Sequence, residues 1–68
     1  MNFQEVGGLM KERREFLGLN QLDLAEIAGV SIKTIYAIEL GKGNPSFATL
    51  LKLAKVLGLE IIVRTKQS

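Results

Sequence analysis

Three residues constrain this chain more than any others. Gly29, Val30 and Ser31 separate two short runs with helical periodicity, one over residues 21–28 and one over residues 32–40. Leu24, Ala25 and Ala28 share a face of the first run, and Ile35 and Ile38 share a face of the second. A glycine takes the left-handed conformation that ends a helix at little cost. A serine caps the next helix by accepting a bond from its unpaired backbone N–H groups. Val30 then fills the corner, and the small Ala25 lets the second helix cross close over the first. The chain is held to two helices joined at a steep angle.

That corner has two readings. One is a helix-turn-helix, in which one helix enters a DNA major groove while the other braces it. The other is an ordinary αα-corner of a small helical domain. Net charge is only +2, so its distribution matters more than its sum. Residues 1–20 are neutral, residues 21–40 carry −2 and residues 41–68 carry +4. A slightly acidic corner weakens the electrostatic case for a monomer on DNA. Two copies would double the number of phosphate contacts.

The rest of the chain builds around the corner. A first helix is expected over residues 3–17, with Val6, Met10 and Leu17 on one stripe and Leu9 beside it. Lys11, Glu12, Arg14 and Glu15 suit its solvent side, and Arg13 snorkels near the stripe. Gly7 and Gly8 each cost that helix about 1 kcal/mol relative to alanine. They mark either a close approach by another backbone or a frayed first turn. Gly18 ends the helix, Leu19 tucks in behind it, and Asn20 caps the next one. Residues 41–45 form a loop holding two glycines and the only proline. Ser46 caps a fourth helix over residues 47–57, whose expected buried face is Phe47, Leu50, Leu51, Ala54 and Leu57. Lys52 and Lys55, on its other side, read as solubilising charge.

Residues 59–65 change character. Ile61, Ile62, Val63 and Thr65 are β-branched, and Leu59, Ile61 and Val63 alternate with Glu60, Ile62 and Arg64. One strand leaves its backbone groups unpaired. A second copy, related by a two-fold axis, could pair with it antiparallel. A short fifth helix and a disordered tail are the alternatives. Residues 66–68 are expected to fray. The expected fold is all-α: four to five short helices over residues 1–58, followed by a dimerisation strand and tail over residues 59–68.

Composition narrows the chemistry. Sixty-eight residues make one domain with a marginal core. Without cysteine there is no disulfide and no thiolate metal site, and without histidine the commonest metal ligand and general base are missing. Ser31, Ser46 and Ser68 have no histidine to activate them. An enzyme is not expected, and neither is a cofactor. The first 15 residues lack a basic segment leading into an apolar run, and no run of about 18 apolar residues exists. A cytoplasmic location, with no membrane partner, is expected.

From Val6 to Pro45 the chain resembles the Cro/C1-type (XRE) helix-turn-helix family of bacterial and phage regulators, the lambda repressor-like fold. The residues that carry the resemblance are Arg14, Gly18-Leu19-Asn20-Gln21, Leu24-Ala25, Gly29-Val30-Ser31, Ile35, Ile38-Glu39, Gly41 and Asn44-Pro45-Ser46. The resemblance implies a sequence-specific regulator that binds a double-stranded operator as a homodimer. By the same resemblance Gln21 bonds a phosphate and braces the reading helix, and Asn20 and Ser31 contact phosphates as well as capping. Ile32, Lys33, Tyr36 and Ala37 fall at base-reading positions, where apolar groups meet thymine methyls and lysine meets guanine acceptors. Contact of Ile32 and Tyr36 with a neighbouring helix is the other reading. Thr34, Lys42 and Asn44 contact the DNA backbone. Arg14 and Glu39 fall where the family has a partly buried ion pair. Ile32 and Ala37 depart from the polar residues often found there, which shifts weight towards readout of DNA shape. The ending, LGLEIIVR, resembles the dimerisation strand of HipB-type antitoxins (Leu59, Glu60, Ile61, Ile62, Val63 and Arg64 here), which repress their own operon and bind a HipA-type toxin kinase. An interaction adaptor on the same scaffold, one that does not read DNA, is the alternative function.

Overall fold

The computed structural model describes residues 2–66 and contains four helices: α1 Phe3–Phe16, α2 Gln21–Ala28, α3 Ile32–Glu39 and α4 Phe47–Leu57. Each start is set by a side chain. Asn2 Oδ1 accepts from Glu5 N at 2.8 Å, and Asn20 Oδ1 accepts from Asp23 N at 2.7 Å. Asp23 Oδ2 returns the favour to Asn20 N at 3.1 Å, completing a capping box. Ser31 Oγ and Ser46 Oγ accept from Thr34 N and Thr49 N at 3.2 and 3.1 Å. The corner after α2 closes with Gly29 at φ +71°, and Val30 N bonds Ala25 O at 3.0 Å. Only glycine holds that conformation without strain.

The core is Met10, Leu24, Ala25, Ile35, Ile38, Leu53 and Leu57. Val6, Ala28, Val30, Leu50, Val56 and Leu59 pack around it. Every helix contributes, and α1 rests on both α3 and α4. Gly7 sets the α1–α3 distance. A methyl group added there would lie inside the Ile38 carbonyl, 3.0 Å from its carbon and 3.3 Å from Glu39 Cα. Gly7 therefore marks a close backbone approach, whereas Gly8 faces open space.

The structure corrects three sequence expectations. In α1 the buried positions are Gly7, Met10 and Arg14, so Arg14 lies on the inner stripe rather than the solvent side. Leu9, beside the buried Gly7–Met10–Arg14 stripe, is exposed, and so is Leu17, where the helix has stopped at Phe16. In α4 Leu53 is fully buried, while Phe47 and Leu51 face outward. The helix is apolar around most of its circumference, so spacing alone left two overlapping stripes, and packing on α2 and α1 selected the one holding Leu53.

Residues 59–66 follow α4 without regular structure. The expected strand is not formed in the single chain, nor is a fifth helix. A strand needs a neighbour for its backbone groups, and the described residues contain no other strand. Leu59 packs on the core, whereas Ile62 and Val63 are exposed. Of the tail expected to fray, Gln67 and Ser68 lie outside the described residues. Among the described residues no helix is long and apolar enough to cross a membrane.

Candidate nucleic-acid interface

The outward side of α3 is the surface to explain. Ile35 and Ile38 turn inward, at 1% and 5% exposure. The opposite side carries Ile32 at 44% and Tyr36 at 58%, with Lys33 exposed between them. Ile32 and Tyr36 both keep about half of their surface open to solvent. With Gln21 from the start of α2 they line a shallow hollow of about 290 Å³. Residues 32 and 36 are one helical turn apart, so the two apolar side chains stand side by side.

One polar network holds this surface in place. Glu39, at the end of α3, accepts from Arg14 Nε at 2.7 Å through Oε2 and from Arg14 Nη2 at 2.9 Å through Oε1. Arg14 Nη1 donates to the Leu19 carbonyl at 2.8 Å. Gln21 Nε2 donates to Glu39 Oε1 at 3.0 Å. The carboxylate thus ties α1, α2 and α3 together, and the guanidinium also fastens the α1–α2 loop. Two-point contact fixes orientation as well as distance. Burial opposes ionisation of Glu39 and is the largest single influence on it. The hydrogen bonds from Arg14 and Gln21, with the charges of Arg14 and Lys11, together outweigh it and hold the carboxyl below its ordinary range. The hydrogen bond to Glu39 is the main cause that keeps the Arg14 guanidinium protonated above its ordinary value.

The remaining sequence-derived positions divide. Ser31 is exposed, and its Oγ lies 2.8 Å from Thr34 Oγ1, so both hydroxyls close the first turn of α3. Asn20 is exposed, with its carbonyl oxygen used by the cap. Ala37 does not face out freely. It is half-buried, close to Gly43, and with Thr34, Lys42, Asn44 and Pro45 it lines a second hollow of about 170 Å³. The 41–45 loop folds back beside α3, where Lys42 and Asn44 share this second hollow with Thr34 and Ala37 rather than the one at Ile32 and Tyr36. Gly43 and Pro45 were not singled out as site residues. The signal of Gly43 in the sequence was that of a turn, and Pro45 also belonged to the Asn44-Pro45-Ser46 step that carries the family resemblance. Among the described residues no three potential metal ligands come together.

Residues 10–63 match the helix-turn-helix family. The chain belongs to that family. The family match extends beyond α4 into the segment that follows it. Similar proteins include an uncharacterized HTH-type transcriptional regulator of Methanothermobacter thermautotrophicus, 44% identical over 54 residues, covering 79% of this chain and 78% of that protein. Another, from Methanocaldococcus jannaschii, is 46% identical over 52 residues, covering 76% and 79%. A further putative HTH-type regulatory protein of the same organism is 41% identical over 56 residues, but this chain spans only 18% of its length. Among solved structures, the restriction-modification controller protein C.AhdI from Aeromonas hydrophila aligns with a TM-score of 0.79 at 33% identity, covering 85% of this chain and 88% of that one. α2 and α3 are the two helices of the helix-turn-helix, and the Arg14–Glu39–Gln21 network locks one to the other. The three relatives just described are regulators of transcription by name.

Proposed function

We propose that the chain is a cytoplasmic, sequence-specific DNA-binding repressor that acts as a homodimer on an inverted-repeat operator. The observation that carries this reading is the outward face of α3. Ile32, Lys33 and Tyr36 are exposed on a helix whose pose is fixed from behind by Glu39 and Gln21. Each subunit lays α3 in a major groove, and the two reading helices sit about 34–36 Å apart. Gln21, whose amide keeps a second N–H beyond the bond to Glu39, donates to a phosphate, as do Asn20, Lys42 and Asn44 around the groove edge; of the bonded Ser31 and Thr34 hydroxyls, the one that accepts from the other has its O–H left for a phosphate. Ala37 lies against the loop and contributes shape rather than a bond. Arg14 and Glu39 position the reading helix without touching DNA.

Residues 1–58 form the DNA-binding unit and residues 59–68 the dimerising one. In the dimer Leu59, Glu60, Ile61, Ile62, Val63 and Arg64 pair with their copies as antiparallel strands, which supplies the neighbour a single chain lacks. The exposure of Ile62 and Val63, at 67% and 86%, supports a partner there. The likeness of this ending to HipB-type antitoxins extends the reading to an autoregulating antitoxin with a HipA-type kinase as partner. The structural likeness to a restriction-modification controller supports another use of the same scaffold, control of a restriction-modification operon. An adjacent kinase-like gene selects the first, and adjacent nuclease and methyltransferase genes the second.

The deciding experiment is a gel shift at fixed salt with Lys33→Ala/Tyr36→Ala. Operator binding is lost while the circular dichroism spectrum and the dimer stay unchanged. Equal affinity removes α3 from the role of reader. Wild-type binding weakens steeply between roughly 50 and 200 mM salt, whereas an interaction adaptor gives no DNA complex even at low salt. Light scattering of the full chain against one ending at Gly58 tests the dimerising segment. A dimer that survives truncation overturns that assignment.

A further inference from the structure

A groove of about 320 Å³ lies between α1, α4 and the segment that follows α4. Val6, Leu9 and Met10 line it from α1, Leu50 from α4, and Leu59 and Ile61 from the segment itself. Apart from Glu60, every lining residue is apolar. The chain does not fill this groove: Leu9 stays 43% exposed and Ile61 37%. Val63, at 86%, is the most exposed large hydrophobic residue among the described residues. Leu59, Ile61 and Val63 share one side of an extended chain. Leu59 is already seated on the core, so that side faces the body. Two strands by themselves are marginal in water. A stable interface takes about 800 Å² from each partner, more than a six-residue ribbon supplies. A dimer built on this segment therefore needs an apolar floor beneath the ribbon.

We infer that each α1–α4 groove is closed by the tail of a second copy of this chain, in the register that sets Ile62 opposite the partner's Ile62. This rests on the reading of residues 59–64 as the dimerising segment, and it adds where that segment docks and how the two copies align. A two-fold axis perpendicular to the ribbon turns the Leu59–Ile61–Val63 side of both copies to one face. Directly opposite residues share a face, so odd positions pair with odd and even with even. With Ile62 at the centre, Glu60 stands opposite the partner's Arg64, and symmetry makes the contact twice. Ile61 stands opposite the partner's Val63, which comes down over the groove. Centring on Ile61 instead sets Glu60 against the partner's Ile62. Centring on Val63 sets Ile62 against the partner's Arg64. The register at Ile62 matches charge with charge and apolar with apolar. Glu60 and Arg64 are exposed and make no salt bridge among the described residues. In an extended chain they stand roughly 13 Å apart, so they cannot pair within one copy.

Sedimentation equilibrium of the full chain reads the dimer dissociation constant. Glu60→Arg and Arg64→Glu each set like charges opposite one another twice. Each raises that constant roughly tenfold or more, because opposed like charges repel where unlike ones attract. Mixed in equal amounts, the two variants form a heterodimer in which both pairs are again complementary, with affinity near that of wild type. The double variant Glu60→Arg/Arg64→Glu dimerises as wild type does. Leu9→Gln, on the exposed part of α1, weakens the dimer while the helical circular dichroism signal is kept. The inference is overturned if the single variants dimerise as tightly as wild type, if neither the mixture nor the double variant recovers the dimer, or if Leu9→Gln leaves the constant unchanged. A wild-type chain that stays monomeric at millimolar concentration overturns the dimeric reading itself, and this docking with it.

Discussion

Gly7→Ala tests how α1 is seated, and its neighbour supplies the control. Both glycines lie in α1, and alanine at either improves helix propensity by about 1 kcal/mol. At Gly8 nothing lies within 4 Å of the added carbon, so Gly8→Ala stabilises by up to that amount. At Gly7 the added carbon meets the Ile38 backbone, which has no rotamer to escape into. To bring those atoms to ordinary contact α1 and α3 must part by on the order of 1 Å. Overpacking of this kind costs about 1–3 kcal/mol. The same displacement stretches the Arg14–Glu39 contacts, now 2.7 and 2.9 Å, out of hydrogen-bonding range. Charged hydrogen bonds are worth about 1.5–3 kcal/mol. After the gain in propensity, Gly7→Ala is destabilised by about 2–4 kcal/mol. Domains of this size are stable by only about 3–10 kcal/mol. A circular dichroism melt at 222 nm should show Gly7→Ala melting at least about 10 °C below wild type and Gly8→Ala a few degrees above it. A Gly7→Ala protein as stable as Gly8→Ala would mean that α1 does not approach α3 as described.

Three further outcomes follow from particular contacts. Glu39 has its carboxyl pKa lowered in the folded state, so the stability it supplies is complete at neutral pH and is lost as pH falls below the ordinary carboxylate range of about 4. Glu39→Gln should cost on the order of 2 kcal/mol at pH 7 and flatten the acid limb of a urea-midpoint series between pH 6 and roughly pH 3; an unchanged acid limb would rule out this pair as its source. Leu53→Ala opens a cavity in the core and should cost about 2–5 kcal/mol, whereas Leu51→Ala on the exposed side should cost well under about 1.5 kcal/mol by urea unfolding. Ser46→Ala removes the α4 cap and should cost about 1 kcal/mol, with Ser46→Asn restoring most of it; equal stability of all three proteins would exclude the cap as a contributor.

Local chemistry was legible in the residues themselves. Asn20, Ser31 and Ser46 cap the helices they precede, and the bounds of α2 and α4 follow from those caps and from Gly29 and Gly58. Capping is decided within three or four residues, so it survives any tertiary arrangement. The inward face of α3 followed in the same way from two isoleucines three positions apart. The helix-turn-helix resemblance carried the family, because its marks are spread over most of the chain.

Other features needed the folded chain. Whether Gly7 marked a fray or a contact depended on Ile38, more than 30 residues away along the sequence. Periodicity alone put Arg14 on the solvent side of α1, while the family resemblance placed it in a partly buried pair with Glu39; its burial is tolerated because Glu39 and the Leu19 carbonyl meet its guanidinium. The choice between Leu51 and Leu53 was made by which neighbours α4 found. The ending from Leu59 onward is the limiting case. Its β-branched residues favour an extended chain, but a strand needs another beside it, and the described residues contain none. Sequence determines what each segment can be at short range, and tertiary structure decides where close approach, charge burial and shared faces are permitted, since those depend on atoms that are distant in the chain.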